Sequence, residues 1–188
     1  YMKKHLIVYA KRPRPYHAKT RLGTNIGMEA SAGIYARMLY SYLLDIIENI
    51  GDLYRVVLSV TSPDDVEFFR SAFPELNVRL QVAGALGNRM ENSFIRVFDE
   101  GADCAVLTGS DIPGLNSRIL AHAFTLLEQH KGVIGPATDG GYYLIGQQAP
   151  GYPLFTDIAW STNTVLAQTE ELAVRQGIKL AHLPTLTD

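Results

Sequence analysis

The sequence predicts an α/β fold in which a mainly parallel sheet is covered on both faces by helices. Three observations carry that expectation. The strand-like runs "HLIVYA", "RVVLSV" and "DCAVLTG" are continuously apolar rather than alternating, as in strands buried on both faces. Segments of helical periodicity separate them, the signature of strand–helix–strand units. The 188 residues, 47% of them hydrophobic, contain no repeat, low-complexity tract or linker, so a single domain over residues 1–188 is expected.

Taken in order, residues 4–10 form a buried first strand that ends in a basic loop stiffened by Pro13 and Pro15. Over residues 28–49, Ile34, Met38, Tyr42, Leu43 and Ile46 recur at three- and four-residue spacing, and Gly51 follows as a stop. Residues 53–60 are a second strand. Ser62 caps a helix over 62–73, with Pro63 in its first turn and Asp64 and Asp65 against the helix dipole. Residues 78–83 are a third strand, followed by a Gly-rich loop and a helix from Arg89 to Glu100. A fourth strand covers 103–109, and Asn116 caps a helix that reaches His130. Residues 132–137 and 142–146 read as strands around Asp139-Gly140-Gly141. Ser161 is expected to cap a helix to Arg175, and residues 178–183 close as a last strand.

Composition excludes several functions. A net charge of −2 gives no broad cationic face for nucleic acid. The single cysteine, Cys104, lies in an apolar run and reads as a buried, inert thiol, with no disulfide and no Cys/His metal spacing. Together with the absence of a roughly 20-residue apolar run, and of a signal-peptide core in "HLIVYA", this makes a cytoplasmic location the expectation. A homodimer is left open.

In open α/β sheets ligands sit beyond the carboxyl ends of the strands, so the loops there are the candidate site. The first, "AKRPRPYHAKTRLG", places Lys11, Arg12, Arg14, Lys19 and Arg21 close together in a chain with 17 Lys+Arg in all. Phosphate or another polyanion is the natural partner, with Lys19 and Arg21 favoured over Arg12 and Arg14. There is no P-loop, no GxGxxG and no GxSxG, which removes a Walker ATPase, a dinucleotide binder and a nucleophile elbow. In "VLTGSDIPGL", Asp111 reads as a ligand for a hard divalent cation, which takes carboxylate oxygens and completes its shell with water and substrate phosphates. Asp139 is either a second such ligand or the turn residue of a hairpin. Arg89 opens a helix behind Gly84 and Gly87, and Trp160 is either core or the wall of an acceptor pocket.

These stretches resemble the DUF2064 glycosyltransferase-like family of nucleotide-diphospho-sugar transferase relatives. The likeness rests on "YAKRPRPYHAKTRL", "LGNRM", "GSDIPGL", "GPATDGGYYLIG" and "WST", in that order along nearly the whole chain. It implies a GT-A-like fold, a single Rossmann-like three-layer α/β/α sandwich. It also implies a metal-dependent transferase with Mg²⁺ or Mn²⁺ as cofactor, a nucleotide-sugar or NTP donor, and a small-molecule acceptor. Asp111, Asp139 and Lys19 would be catalytic, with Asp111 and Asp139 holding the metal. Lys11, Arg21, Ser110, Gly87 and Arg89 would line the donor, and Gly140, Gly141 and Trp160 the remainder of the cleft. Glycosyl transfer is favoured. Nucleotidyl transfer with release of pyrophosphate, and a non-catalytic nucleotide-binding module, are the alternatives. Two departures stand out: Tyr16 replaces the family's usual Gly, which bears on how closely the loop approaches a donor, and the chain stops at "LPTLTD" where relatives continue with an acidic tail.

Overall fold

A computed structural model describes residues 1–17 and 19–187, with the side chain of Thr20 also outside the description. Ala18 of the first-loop motif therefore lies outside the described residues, as does Asp188 of the C-terminal stretch "LPTLTD". The elements follow in the order β1 (Lys4–Tyr9), α1 (Thr20–Ile26), α2 (Met28–Ile50), β2 (Arg55–Val60), α3 (Pro63–Ala72), β3 (Asn77–Leu80) and α4 (Leu86–Asp99). Then come β4 (Cys104–Thr108), α5 (Ser117–Leu127), β5 (Gly132–Pro136), β6 (Tyr142–Gln148), α6 (Val165–Arg175) and β7 (Leu180–His182). The seven strands form one sheet, ordered β3-β2-β1-β4-β6-β5-β7. Only β6 runs against its neighbours β4 and β5; every other pairing is parallel.

Alternate residues of the strands face two cores. Leu6, Val8, Leu58, Val60 and Val106 pack against α2, α3 and α5, whose Leu39, Leu43, Phe69 and Phe124 are buried there. Ile7, Val57, Ala105, Leu107 and Ile145 face the other way onto α4 and α6 through Met90, Phe94 and Ala173. This is the expected three-layer α/β/α sandwich. Cys104 is fully buried, and burial pushes its thiol up to about 11, so it is inert at neutral pH.

The caps at Ser62 and Asn116 form as expected: Ser62 Oγ accepts from the Asp65 amide at 3.1 Å, and Asn116 Oδ1 from the Arg118 and Ile119 amides at 3.1 and 3.2 Å. Several details differ. The buried stripe of α2 is Ala32, Tyr35, Leu39, Tyr42, Leu43, Ile46 and Ile50, while Ile34 is 41% exposed and Met38 half-buried. The spacing gave the helix, but several equally apolar phases were available and the tyrosines decided. The seven-residue α1 carries no apolar stripe to announce it and rests on α2, with the Gly23 amide bonded to Lys19 O. The third strand is Asn77–Leu80, leaving Gln81 free to turn into the cleft, and α4 already begins at Leu86. Ser161 caps nothing: it sits at φ 65°, and α6 starts four residues later.

His5 on β1 is 2% exposed, and neither ring nitrogen has a hydrogen-bond partner among the described residues. Burial, then the Arg55 charge, lowers its pKa. The unfolded chain therefore takes up a proton near pH 6.5 that the native state refuses, and stability falls as pH drops below that value. His5→Leu is expected to remove up to one proton's share of that dependence, about 1.4 kcal/mol per pH unit. Urea midpoints of both proteins at pH 7.5 and 5.5 check it.

Candidate active site

The order of the strands reverses between β1 and β4, and the loops leaving their carboxyl ends face each other across the resulting crevice. The basic loop after β1 is tied down by several contacts. The Lys11 amide donates to the Tyr35 hydroxyl at 3.0 Å, and that hydroxyl lies 3.0 Å from Ser110 Oγ in the loop after β4. The Arg12 amide donates to Asp65 Oδ2 at 3.0 Å, and the Arg14 guanidinium to Asp65 Oδ1 at 3.1 Å. The Arg12 guanidinium also lies 4.3 Å over the Phe68 ring. Asp65 is 7% exposed, so it anchors the loop from within. Arg12 and Arg14 are thus spent on holding the loop, which leaves Lys11, Lys19 and Arg21 as its cleft-facing cations.

Lys19 crosses the crevice. Its Nζ donates to the Asp111 carbonyl at 2.8 Å and stands 3.8 Å from Asp111 Oδ2, while Ser31 Oγ donates to the Lys19 carbonyl at 2.7 Å. The Asp111 side chain is half exposed and turned to the cleft, not to the core. The sequence pointed to Asp111 facing both Lys19 and Arg21; Lys19 meets it directly, whereas Arg21 lines the other side of the crevice.

The crevice has two lobes that share Tyr9, Leu86 and Gly109. The first, about 320 Å³, is lined by Lys11, His17, Lys19, Tyr35, Thr61, Gln81, Arg89, Ser110 and Asp111. Gln81 sits fixed between two partners: its Nε2 donates to Ser59 O at 3.0 Å, and its Oε1 accepts from Arg89 at 3.0 Å. Arg89 is thereby aimed, and its buried Nε has no partner among the described residues. Tyr9 closes the shared floor through a 2.8 Å bond to Ser93; burial pushes its phenol up to about 12, so it stays neutral.

The second lobe, about 520 Å³, is walled by Tyr142, Tyr143, Trp160, Met90 and Leu107, with Arg21, Asp139 and residues 161–163 at its rim. Trp160 meets Tyr142 edge-on, ring centroids 6.5 Å apart. Asp139 is the hairpin residue between β5 and β6: its Oδ1 accepts from the Gly141 amide at 2.8 Å. Its turn role is therefore filled, and its carboxylate also faces the second lobe.

Most of the expected residues therefore meet in one crevice, but in two groups. Lys11, Lys19, Arg89, Ser110 and Asp111 line the first lobe; Arg21, Asp139, Gly141 and Trp160 the second. Two glycines serve packing instead. A Cβ on Gly87 would come within 2.6 Å of Phe155 O and 3.0 Å of the Trp160 indole nitrogen, and one on Gly140 would strike the Asn163 backbone. Among the described residues no group of three or more His, Cys, Asp or Glu converges on one point. Sequence reasoning missed Asp65, Tyr35 and Gln81, whose roles arise from distant strands and helices brought together by the sheet.

Tyr16 explains itself here. It lies at φ 67°, in the region that glycine occupies without steric cost, and its side chain is 73% exposed. A glycine at this place would suit the backbone conformation without steric cost. Tyr16→Gly is expected to relieve about 1–2 kcal/mol of left-handed strain, partly offset by glycine's freedom in the unfolded chain. Its unfolding midpoint should equal or slightly exceed the wild type's.

A family model described as "uncharacterized protein conserved in bacteria (DUF2064)" matches residues 50–162. No curated protein matches the sequence. Among solved structures, the chain is similar to a Desulfovibrio desulfuricans protein whose name assigns it, by inference, a nucleotide-diphospho-sugar transferase activity. The two are 30% identical with a TM-score of 0.90, over 100% of this chain and 82% of that one. It shares its fold with 4-diphosphocytidyl-2C-methyl-D-erythritol synthase of Anaerococcus prevotii, at 10% identity and a TM-score of 0.63 over 97% of this chain and 89% of that one. The same holds for glucosyl-3-phosphoglycerate synthase of Mycobacterium tuberculosis, solved with Mn²⁺ and uridine diphosphate, at 10% identity and a TM-score of 0.59 over 99% of this chain and 70% of that one.

Proposed function

The chain belongs to the DUF2064 family, and from that premise we propose that it is a glycosyltransferase that takes a nucleotide-diphospho-sugar in the first lobe and passes the sugar to a small acceptor in the second. The observation that carries the reading is Lys19 Nζ set against Asp111 at the switch point, with Lys11 and Arg89 lining the same lobe. That is a cationic lobe of about 320 Å³ with an acid at its lip. Glucosyl-3-phosphoglycerate synthase, with Mn²⁺ and uridine diphosphate in the same fold, supports it.

A divalent ion fits this donor set in one form only. A closed protein cage needs several converging ligands, and no group of three or more His, Cys, Asp or Glu converges among the described residues. A Mg²⁺ or Mn²⁺ that keeps most of its water and takes phosphate oxygens needs a single half-exposed carboxylate, which Asp111 offers. The ion would supply positive charge beside the departing diphosphate. Asp139, in the other lobe, is then an acceptor-side acid rather than a second ligand.

In the transfer, the acceptor hydroxyl oxygen bonds to the donor's anomeric carbon. The bond from that carbon to the diphosphate oxygen breaks, its electron pair leaving on the nucleoside diphosphate. Lys19, Lys11 and Arg89 stabilise that charge as it grows. The hydroxyl proton passes to the Asp139 carboxylate, whose Oδ1 is already oriented by the Gly141 amide.

A second reading, nucleotidyl transfer, is favoured by the likeness to the diphosphocytidyl synthase over 97% of this chain. Phosphorus NMR of reactions run with nucleotide-sugars and with NTPs separates the two. A nucleoside diphosphate is the expected product. Pyrophosphate would move the assignment to nucleotidyl transfer, and nucleotide-dependent stabilisation without any product would leave a binding module.

A further inference from the structure

The two lobes differ in chemistry, and the second one constrains the acceptor. We infer that it takes an uncharged ring with one flat apolar face and hydroxyls at its edge, and that Trp160 is the platform for that face. The inference rests on the assignment of the first lobe to the donor.

The charges are unevenly divided. Among the described residues, Lys11, Lys19 and Arg89 gather in the first lobe against Asp111, whereas the second has one cation, Arg21, and one acid, Asp139. A phosphorylated acceptor would set its charge beside Asp139 with a single Arg to answer it. The walls instead offer Tyr142 and Trp160 beside Leu86, Met90 and Leu107, a surface for burying a ring face, while the Tyr143 ring is buried in the other core. Ser161, Asn163 and Asp139 at the rim suit hydroxyls.

The platform is built in advance. Asp157 at φ 57° and Ser161 at φ 65° bracket Trp160 in a conformation that non-glycine residues rarely hold, and surroundings must impose it. Gly87 leaves room for the indole edge, and Gly140 lets Asn163 dock on the β5–β6 turn, where Leu166 N–H donates to Gly140 O at 2.9 Å. Such a fixed aromatic wall lowers the ordering cost of binding.

Trp160 is the chain's single tryptophan, so its emission reports this lobe. The test titrates the whole protein with benzyl alcohol, methyl glucoside and glycerol 3-phosphate, with and without saturating uridine diphosphate and Mg²⁺. A saturable emission change is expected with benzyl alcohol or methyl glucoside, and whichever acts identifies the ring as aryl or sugar. It should persist with the nucleotide present. Ligand-observed NMR should show Trp160→Phe retaining the ring and Trp160→Ala weakening it by about tenfold or more. A preference for glycerol 3-phosphate, silence toward both rings, or displacement of the ring by uridine diphosphate would each overturn the inference. Failure of the donor reading shows separately, as no stabilisation by any nucleotide in a thermal-shift panel.

Discussion

Asp111→Asn is expected to lower donor turnover by about 10²–10³ while leaving the unfolding midpoint almost unchanged. The separation of the two effects follows from geometry. Lys19 makes its short contact, 2.8 Å, with the Asp111 backbone carbonyl, which the substitution keeps; the carboxylate oxygen is at 3.8 Å on a half-exposed side chain. An ion pair of that kind contributes about 0–1 kcal/mol to stability. What the Asn variant would lack is the negative charge proposed to hold a divalent ion against the diphosphate. Initial rates of nucleotide-sugar consumption, paired with a thermal melt of each protein, check both halves. An unchanged rate would remove Asp111 from the mechanism, and a collapsed midpoint would make it a structural residue.

Gly140→Ala should act the other way, on the fold first. At φ 89° any side chain meets left-handed strain, and the new Cβ would point at the carbonyl oxygen, carbonyl carbon and Cα of Asn163. Backbone atoms cannot rotate aside as a side-chain tip can. Strain and overpacking together give an expected loss of about 2–5 kcal/mol, read as a lower urea midpoint. The loss is local in origin: the Gly140 carbonyl receives the Leu166 amide at the start of α6, and Asn163 forms part of the second lobe. Under conditions where the variant still folds, nucleotide binding in the first lobe should survive, and ring binding beside Trp160 should not. A variant as stable as the wild type would mean that the 161–164 segment moves freely over the turn.

Much of this was legible in the residues. Continuous apolar strands required cover on both faces, and cover on both faces required helices between them. The order of the loops then placed Asp111, Lys19 and Arg89 at one end of the sheet. The helix caps at Ser62 and Asn116 were equally local, because a side chain two or three residues from an orphan amide needs no distant partner. Where reasoning along the chain went astray, the deciding contact was remote. Asp65 read as a helix-dipole acid, yet it is 51 residues in sequence from the Arg14 it binds. Ser161 read as a cap, yet tertiary packing holds it at positive φ with α6 beginning later. Arg21 and Lys19 read as one cationic pair, yet they serve different lobes.

By itself, then, the sequence determined the layered α/β architecture and the acid and cations at its carboxyl edge, because periodicity and strand polarity are properties of neighbouring residues. Only the tertiary structure decided that the crevice divides into a cationic and an aromatic lobe, and which glycines and arginines hold it open. Those depend on which side chains β1, β4, β6 and the helices above them bring within a few ångströms of one another.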